Sequence, residues 1–300
     1  MIQQETVVVA GSNSKAFAYI LSDHLELKYI EAELTKFADG EFKVRISEQL
    51  NCETVIIVQS TNSSASENVM ELLLIADAVR QSKNIKNVIA LIPYFGYSRQ
   101  DKQLVAQEAV AMRVLGKIIA AAGIDHILTL DIHSPDSIRF FNIKLHNIDP
   151  SPLFLEAIHP FAQNYSIVAP DQGGASSANK IAAAINLPIV KMHKMRSRDN
   201  DCEILGMHGD VHSKNCIIID DIIDTGKTMC NACNILKENG AKKVIAIATH
   251  AVFSTGAVAR LENSQIDIII ITNSIEQSGL SKKFKIIDAN KLICESFVKI

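Results

Sequence analysis

The apolar run Cys216-Ile217-Ile218-Ile219 breaks directly into Asp220-Asp221 and, three residues on, into Asp224-Thr225-Gly226-Lys227-Thr228. An unbroken, largely β-branched run is the pattern of a strand covered on both faces of a parallel sheet, because a half-exposed strand would alternate. A helical pattern then runs to Asn239-Gly240. Gly226 permits a tight turn, and the helix start behind it offers unpaired N–H groups and a positive dipole end to a phosphate. Asp220 and Asp221 stand where the strand leaves the sheet, so they face whatever binds at that edge. A phosphate cradle beside carboxylates suits a phosphorylated sugar. N–H groups would hold the phosphate, and the acids would hold hydroxyls directly or through a cation.

Two plainer readings compete. A generic strand–turn–helix with a capping Asp or Thr leaves Asp220, Asp221 and Asp224, three acids in five residues, without a reason to be there. A P-loop would share Gly226-Lys227-Thr228, but it needs a glycine five residues before Gly226, and Asp221 occupies that position. The P-loop reading fails.

Three hundred residues suffice for two domains with proper cores. Hydrophobic content of 48% and charged content of 21% describe an ordinary globular chain. A net charge of −3 supports neither a nucleic-acid nor a membrane partner. Met1–Glu5 lacks the basic start and apolar run of a signal peptide, and no apolar stretch approaches the ~18 residues of a membrane span, so a cytoplasmic location is expected. The six cysteines are scattered among apolar residues, as buried thiols are. Cys230-Asn-Ala-Cys233 has metal or redox spacing but no second Cys or His pair beside it, which favours a packing role.

Along the chain, short apolar strands are expected at 6–10, 54–59, 87–92, 126–130, 166–169, 189–192, 243–249 and 266–272, with helices between them. Phe37-Ala-Asp39-Gly40-Glu41 reads as a tight acidic turn before an alternating strand at 42–46. Val55–Val58, a loop, a helix and Val88–Leu91 echo Cys216–Ile219, a loop, a helix and Val244–Ile247. That register sets Gln59-Ser60 against Asp220-Asp221, so the unit is expected to be duplicated with acidic loop chemistry kept only in the second copy. Pro93–Lys102 places aromatic residues and then Arg99, Gln100, Asp101 and Lys102 beyond a strand end. The aromatics could stack on a base and the cations meet phosphates, or they could simply anchor the loop. Asp131 and His133 lie two apart, hence on one face if the strand continues, where they could meet a metal or phosphate. Pro150-Ser151-Pro152 marks the expected boundary between domains at 1–149 and 150–300. Asp171 with Gly173-Gly174 is a further acid and glycine pair at a strand exit, and His193–Asp199 is a basic loop.

Taken together, these motifs resemble the ribose-phosphate pyrophosphokinase family, whose diphosphate-binding loop is shared with type I phosphoribosyltransferases. Asp220–Thr228 is similar to that loop. Phe37–Glu41, Tyr97–Lys102, Asp131-Ile132-His133 and Pro170–Gly174 resemble four further family motifs in the right order. The resemblance covers nearly the whole chain and implies two tandem type I phosphoribosyltransferase-like α/β domains, each a mainly parallel sheet flanked by helices. It implies Mg²⁺-dependent transfer of the diphosphoryl group of ATP to the C1 hydroxyl of ribose 5-phosphate, for nucleotide biosynthesis. It further implies ATP contacts from Phe37, Asp39, Gly40, Glu41, Arg99, Gln100, Asp101 and His133, and metal contacts from His133, Asp171 and Asp131. Lys194 and Arg196 would be catalytic. Ribose 5-phosphate would be held by Arg196, Asp220, Asp221 and Asp224-Thr225-Gly226-Lys227-Thr228. In the family the acidic turn comes from a neighbouring subunit, which implies a homo-oligomer.

Some positions depart from the family pattern. Lys227 replaces a common glycine, Met195 stands where bacterial members often carry Arg, and Gln103–Ala109 lacks the Arg and Ser of the ADP-inhibited members. That loop is nearer the short archaeal-type enzymes. A base-salvaging phosphoribosyltransferase would not need the Arg99–Asp101 and Asp39–Glu41 elements. A non-catalytic relative would be expected to have lost some of His133, Asp171, Lys194 and Arg196.

Overall fold

The computed structural model describes residues 6–161, 164–171, 173–196 and 203–297, with only the backbone at 161, 194–196 and 203–205. In chain order the strands and helices of the first half are β1 (Thr6–Ala10), α1 (Lys15–His24), β2 (Lys28–Glu31), β3 (Glu33–Lys36), β4 (Phe42–Arg45), β5 (Thr54–Val58), α2 (Ala65–Arg80), β6 (Asn87–Ile92), α3 (Ala111–Ala121), β7 (His126–Leu130) and β8 (Lys144–Ile148). There follow α4 (Ser151–Ile158), β9 (Tyr165–Ala169), α5 (Ala175–Ala184), β10 (Ile189–Arg196), β11 (Glu203–His208), β12 (Asn215–Ile223), α6 (Lys227–Glu238), β13 (Lys243–Ala251), α7 (Ala257–Glu262), β14 (Ile268–Thr272), β15 (Phe284–Ile287) and α8 (Asn290–Phe297).

The chain divides into two compact units, one of Met1–Asp149 with Ser274–Glu276 and Asn290–Ile300, the other of Pro150–Asn273 with Gln277–Ala289. The sequence pattern assigned everything after residue 149 to the second domain, whereas α8 packs on α1 in the first unit. The first unit holds a six-stranded parallel sheet in the order β2-β1-β5-β6-β7-β8. The second holds seven strands in the order β11-β10-β9-β12-β13-β14-β15, parallel except where β11 runs against β10. Without β11 the two orders are the same, so the echo between β5–α2–β6 and β12–α6–β13 extends to the whole sheet.

The central strand of the second unit is covered on both faces. Ile217 and Ile219 face a core with Phe154, Ile167, Ile181 and Ile247, while Cys216 and Ile218 face one with Met192, Leu236, Val244 and Ile269. A strand with no water on either face has room for polar groups only at its ends. In the first unit, Val55 and Ile57 join Val7, Leu72, Ile75, Ile92 and Phe95 in one core.

The loops at the carboxyl ends of β1 and β5 are closed by a buried carboxylate. Glu71 of α2, 2% exposed, accepts from the Ser12 N–H at 2.7 Å, the Ser12 hydroxyl at 2.6 Å and the Gln59 side-chain amide at 2.8 Å. Gln59, wholly buried, in turn accepts from the Asn13 N–H at 3.2 Å. Ser60 donates to the Ser274 carbonyl at 2.6 Å, which ties the returning segment into this unit. Without Glu71 the wholly buried Gln59 amide loses its short acceptor, at about 1–3 kcal/mol, while the exposed Ser12 donors can turn to water. Glu71→Ala is therefore expected to lower unfolding stability by about 1–3 kcal/mol in urea titrations. A loss below about 1 kcal/mol would show that water replaces the carboxylate.

Candidate functional site

In the second unit, β12 carries its apolar run to Ile219 and then exits with Asp220 buried and Asp221 half-buried. Asp171, at the exit of the adjacent β9, approaches the same corner. The Asp171 Oδ1 accepts from the Gly174 N–H at 3.0 Å, and Asp220 Oδ1 accepts from the Asp221 N–H at 3.0 Å. Burial, then the charge of Asp221, and then that of Asp171 push the Asp220 carboxyl well above the usual carboxylate range. Among the described residues no three His, Cys, Asp or Glu side chains make a ready metal cage. Three neighbouring carboxylates at a strand exit fit a hard, oxygen-seeking cation that keeps waters and uses substrate oxygens, as Mg²⁺ does.

Beyond Asp221 the strand continues to Ile223 and the chain turns through Asp224, Thr225 and Gly226 into α6. Gly226 has φ +75°, and a Cβ there would press on Leu261 of α7 at 3.0 Å, so the turn needs glycine for both conformation and space. Ser254 donates its hydroxyl to Asp224 Oδ1 and its N–H to the Asp224 carbonyl at 3.1 Å. The Arg260 guanidinium donates to the Thr225 carbonyl. Lys227 and Thr228 begin α6 with exposed side chains. Ser254, Arg260 and Leu261 did not stand out in the sequence. Short range offers no signal for them, because they reach the loop from a segment about thirty residues away.

In the first unit, β3 and β4 form an antiparallel hairpin whose tip, Phe37 to Glu41, is exposed. The turn is closed by the Phe37 N–H to the Glu41 carbonyl at 2.8 Å and by the Glu41 N–H to Asp39 Oδ1 at 3.1 Å, with Gly40 at φ +95°. After β6, Tyr94 and Phe95 are buried, Phe95 edge-on to Phe141, so they anchor the loop and are closed to base stacking. Arg99 and Gln100 are exposed beside them, whereas Asp101 is buried with Oδ2 lacking a hydrogen-bond partner. At the end of β7, Asp131 adopts φ +46°, so the chain is no longer extended. The alternation that would align Asp131 with His133 does not carry through that residue, and His133 is exposed. Between Asp101 and α3, residues 102–109 are exposed and fold on themselves. Glu108 accepts from the N–H groups of Leu104 at 2.7 Å and Val105 at 3.2 Å, with Gln107 at φ +64°.

The basic segment expected as a loop at 193–199 is strand as far as Arg196, because β10 outlasts its parallel pairing with β9 and continues against β11. Lys194 and Arg196 lie in that ribbon, facing Leu205 and Glu203 in register, and their side chains lie outside the described residues. Cys230 and Cys233 are buried in the core under α6, and burial pushes the Cys233 thiol up to about 12. That is the opposite of a reactive or metal-bound thiolate.

Two family descriptions match the chain: "N-terminal domain of ribose phosphate pyrophosphokinase" over residues 6–123, and "Phosphoribosyl synthetase-associated domain" over residues 158–300. The chain is 34% identical to the ribose-phosphate pyrophosphokinase of Thermosipho africanus, over 99% of its own length and 95% of that protein's. It is 38% identical to that of Vibrio vulnificus, over 90% and 86% of the two lengths. Among solved structures it is similar to the phosphoribosylpyrophosphate synthetase of Mycobacterium smegmatis, with a TM-score of 0.90 and 28% identity over 98% of each chain.

The acid corner has a consequence for stability. A carboxyl raised above its unfolded value adds most to stability below the unfolded value, and that contribution is lost as pH rises through the folded one. The placement of Asp220 therefore costs stability at neutral pH. Asp220→Asn, which keeps the acceptor for Asp221, is expected to raise the melting temperature of the ligand-free protein by a few degrees at neutral pH. The gain should vanish as pH falls to the ordinary Asp range near about 4. A lower melting temperature at neutral pH would mean that Asp220 is paired with a cation of the protein itself.

Proposed function

We propose, for a chain that belongs to the ribose-phosphate pyrophosphokinase family, that it transfers the diphosphoryl group of ATP to ribose 5-phosphate, giving 5-phosphoribosyl 1-diphosphate and AMP. The observation that carries the reading is the pairing of a phosphate-type turn, Asp224–Thr228, with the acid corner of Asp220, Asp221 and Asp171 at one sheet edge. The C1 hydroxyl oxygen of the sugar attacks the β-phosphorus of ATP, and the bond from that phosphorus to the bridging α–β oxygen breaks. The hydroxyl proton is released and AMP departs. Mg²⁺, when bound, would neutralise charge on the phosphoryl oxygens.

The roles of individual residues follow the family pattern and the geometry. The N–H groups at Thr225 to Thr228 would hold the 5-phosphate, and Asp220 and Asp221 the ribose hydroxyls, directly or through the ion. Lys227 would add a cation at that phosphate. Arg99 and Gln100, exposed beyond a rigid aromatic anchor, would contact ATP with Asp101, and so would the exposed hairpin tip Phe37, Asp39, Gly40 and Glu41. Asp171, His133 and Asp131 would serve the metal. Lys194 and Arg196 would bring positive charge to the transferring group, Arg196 also meeting the sugar phosphate. A hairpin tip with no apolar cover suits donation to a second copy, so we read the protein as a homo-oligomer with shared ATP sites, working in the cytoplasm.

The test is direct. Purified protein with ribose 5-phosphate, Mg²⁺ and ATP should release AMP and 5-phosphoribosyl 1-diphosphate in equal amounts. Release of inorganic diphosphate from 5-phosphoribosyl 1-diphosphate and a base, without AMP formation from ATP, would point instead to a salvage phosphoribosyltransferase.

The loop at 103–109 supports a reading of regulation. Allosteric ADP needs free donors and positive charge there, but Gln103–Ala109 has no Arg, Lys or Ser, and Glu108 already occupies two of its N–H groups. A diphosphate would have to displace that carboxylate and lie beside its charge. ADP is therefore expected to inhibit only by competing with ATP, as in an enzyme of the short archaeal type. Initial rates against ATP at several ADP concentrations check this. Inhibition that survives saturating ATP would overturn it.

A further inference from the structure

Ser254 and Arg260 belong to the segment after β13, outside the motif that would bind substrate, yet they hold the backbone of that motif. Two consecutive carbonyls of the turn point toward this segment: Asp224 O accepts from the Ser254 N–H at 3.1 Å, and Thr225 O accepts from the Arg260 guanidinium. In a planar trans peptide the carbonyl of one residue and the N–H of the next point in opposite directions. Fixing the carbonyls of 224 and 225 therefore aims the N–H groups of Thr225 and Gly226 to the other side of the turn. Neither N–H donates to any acceptor among the described residues. The Ser254 hydroxyl also holds Asp224, and Leu261 fills the space beneath Gly226. The β12–β13 ladder reaches Ile223, and Val252 and Phe253 donate to Ile223 O at 3.0 and 3.2 Å, so the clamp hangs from the sheet itself.

We propose that Arg260, assisted by Ser254, is a positioning residue that pre-shapes the turn Asp224–Gly226, so that its N–H groups meet the phosphate of ribose 5-phosphate without rearrangement. The inference rests on the reading of this turn as the sugar-phosphate site. Pre-aimed donors spare the ligand the cost of ordering the loop, so loss of the clamp acts on binding of one substrate more than on the chemical step. Arginine fits the task, because a charge-assisted bond to a carbonyl is stronger than one from a neutral donor.

The test measures AMP release with each substrate varied in turn. Arg260→Ala is expected to raise the KM for ribose 5-phosphate about tenfold, the worth of one charge-assisted hydrogen bond, and Ser254→Ala to raise it less. In both, kcat should stay within about twofold and the KM for ATP should not move. Arg260→Lys, which keeps a cationic donor, should recover part of the loss. A merely structural role would lower the melting temperature and affect both substrates together, which would overturn the proposal. Asp224→Ala serves as the reference. If it raises the KM for ribose 5-phosphate while Arg260→Ala does not, the clamp is refuted and the site stands. If neither does, the site assignment falls and the clamp with it.

Discussion

Burial of the central parallel strands on both faces is the constraint from which the rest follows. β12 sends Ile217 and Ile219 into one core and Cys216 and Ile218 into another, so a polar side chain anywhere along it would lose its water. Polar chemistry is therefore driven to the strand's carboxyl end, where backbone groups are no longer engaged by the ladder and a helix begins. Asp220 stands at that limit. It is the first acid after the apolar run and is still buried, and Asp221 and Asp171 add their repulsion to the cost of burying it. A corner that raises the energy of the ligand-free state in this way has affinity in reserve for a cation or a hydroxyl-bearing substrate.

The same sheet order occurs twice, and the two carboxyl edges have opposite characters. In the first unit, the strand equivalent to β12 leads into Gln59, and Glu71 accepts from donors of the neighbouring loops. Its acid is matched by N–H and O–H groups. In the second unit the acids lie near one another, and Ser254 and Arg260 hold the carbonyls of the turn. One edge is closed by hydrogen bonds to a single buried carboxylate, and the other gathers several carboxylates at one strand exit. Like charges gathered in a partly buried corner carry a cost that a cation would relieve.

Much of the pattern was legible in one dimension. The apolar runs at β1, β5, β6, β7, β9, β12, β13 and β14 are strands, and the turn after β12 leads into α6 as its glycine and Thr suggested. The less apolar edge strands β2, β8 and β15 were not foreseen, because a strand with one free side need not carry a continuous apolar run. Tyr94 and Phe95 could have stacked on a base as well as filled a core. Composition does not separate these cases, and only packing against Phe141 and its neighbours does. Asp131 and His133 had the spacing of one face, but a left-handed residue at the strand end cancels the alternation. The long β10–β11 ribbon follows from pairing between residues on either side of a connection, which periodicity cannot reveal.

Local rules carried the residue types and the order of the elements: β-branched runs for doubly covered strands, glycine for a positive φ, and acids at a strand exit. Those depend on a few neighbouring residues, so the primary structure alone contains them. Packing settled which groups are buried, which carbonyls are held and which N–H groups are left open. Arg260 reaches Thr225 across thirty-five residues, and α8 returns to the first unit from the end of the chain. Such contacts lower the energy only after the chain has folded back on itself, and no local sequence signal encodes a hydrogen bond whose partners meet only then.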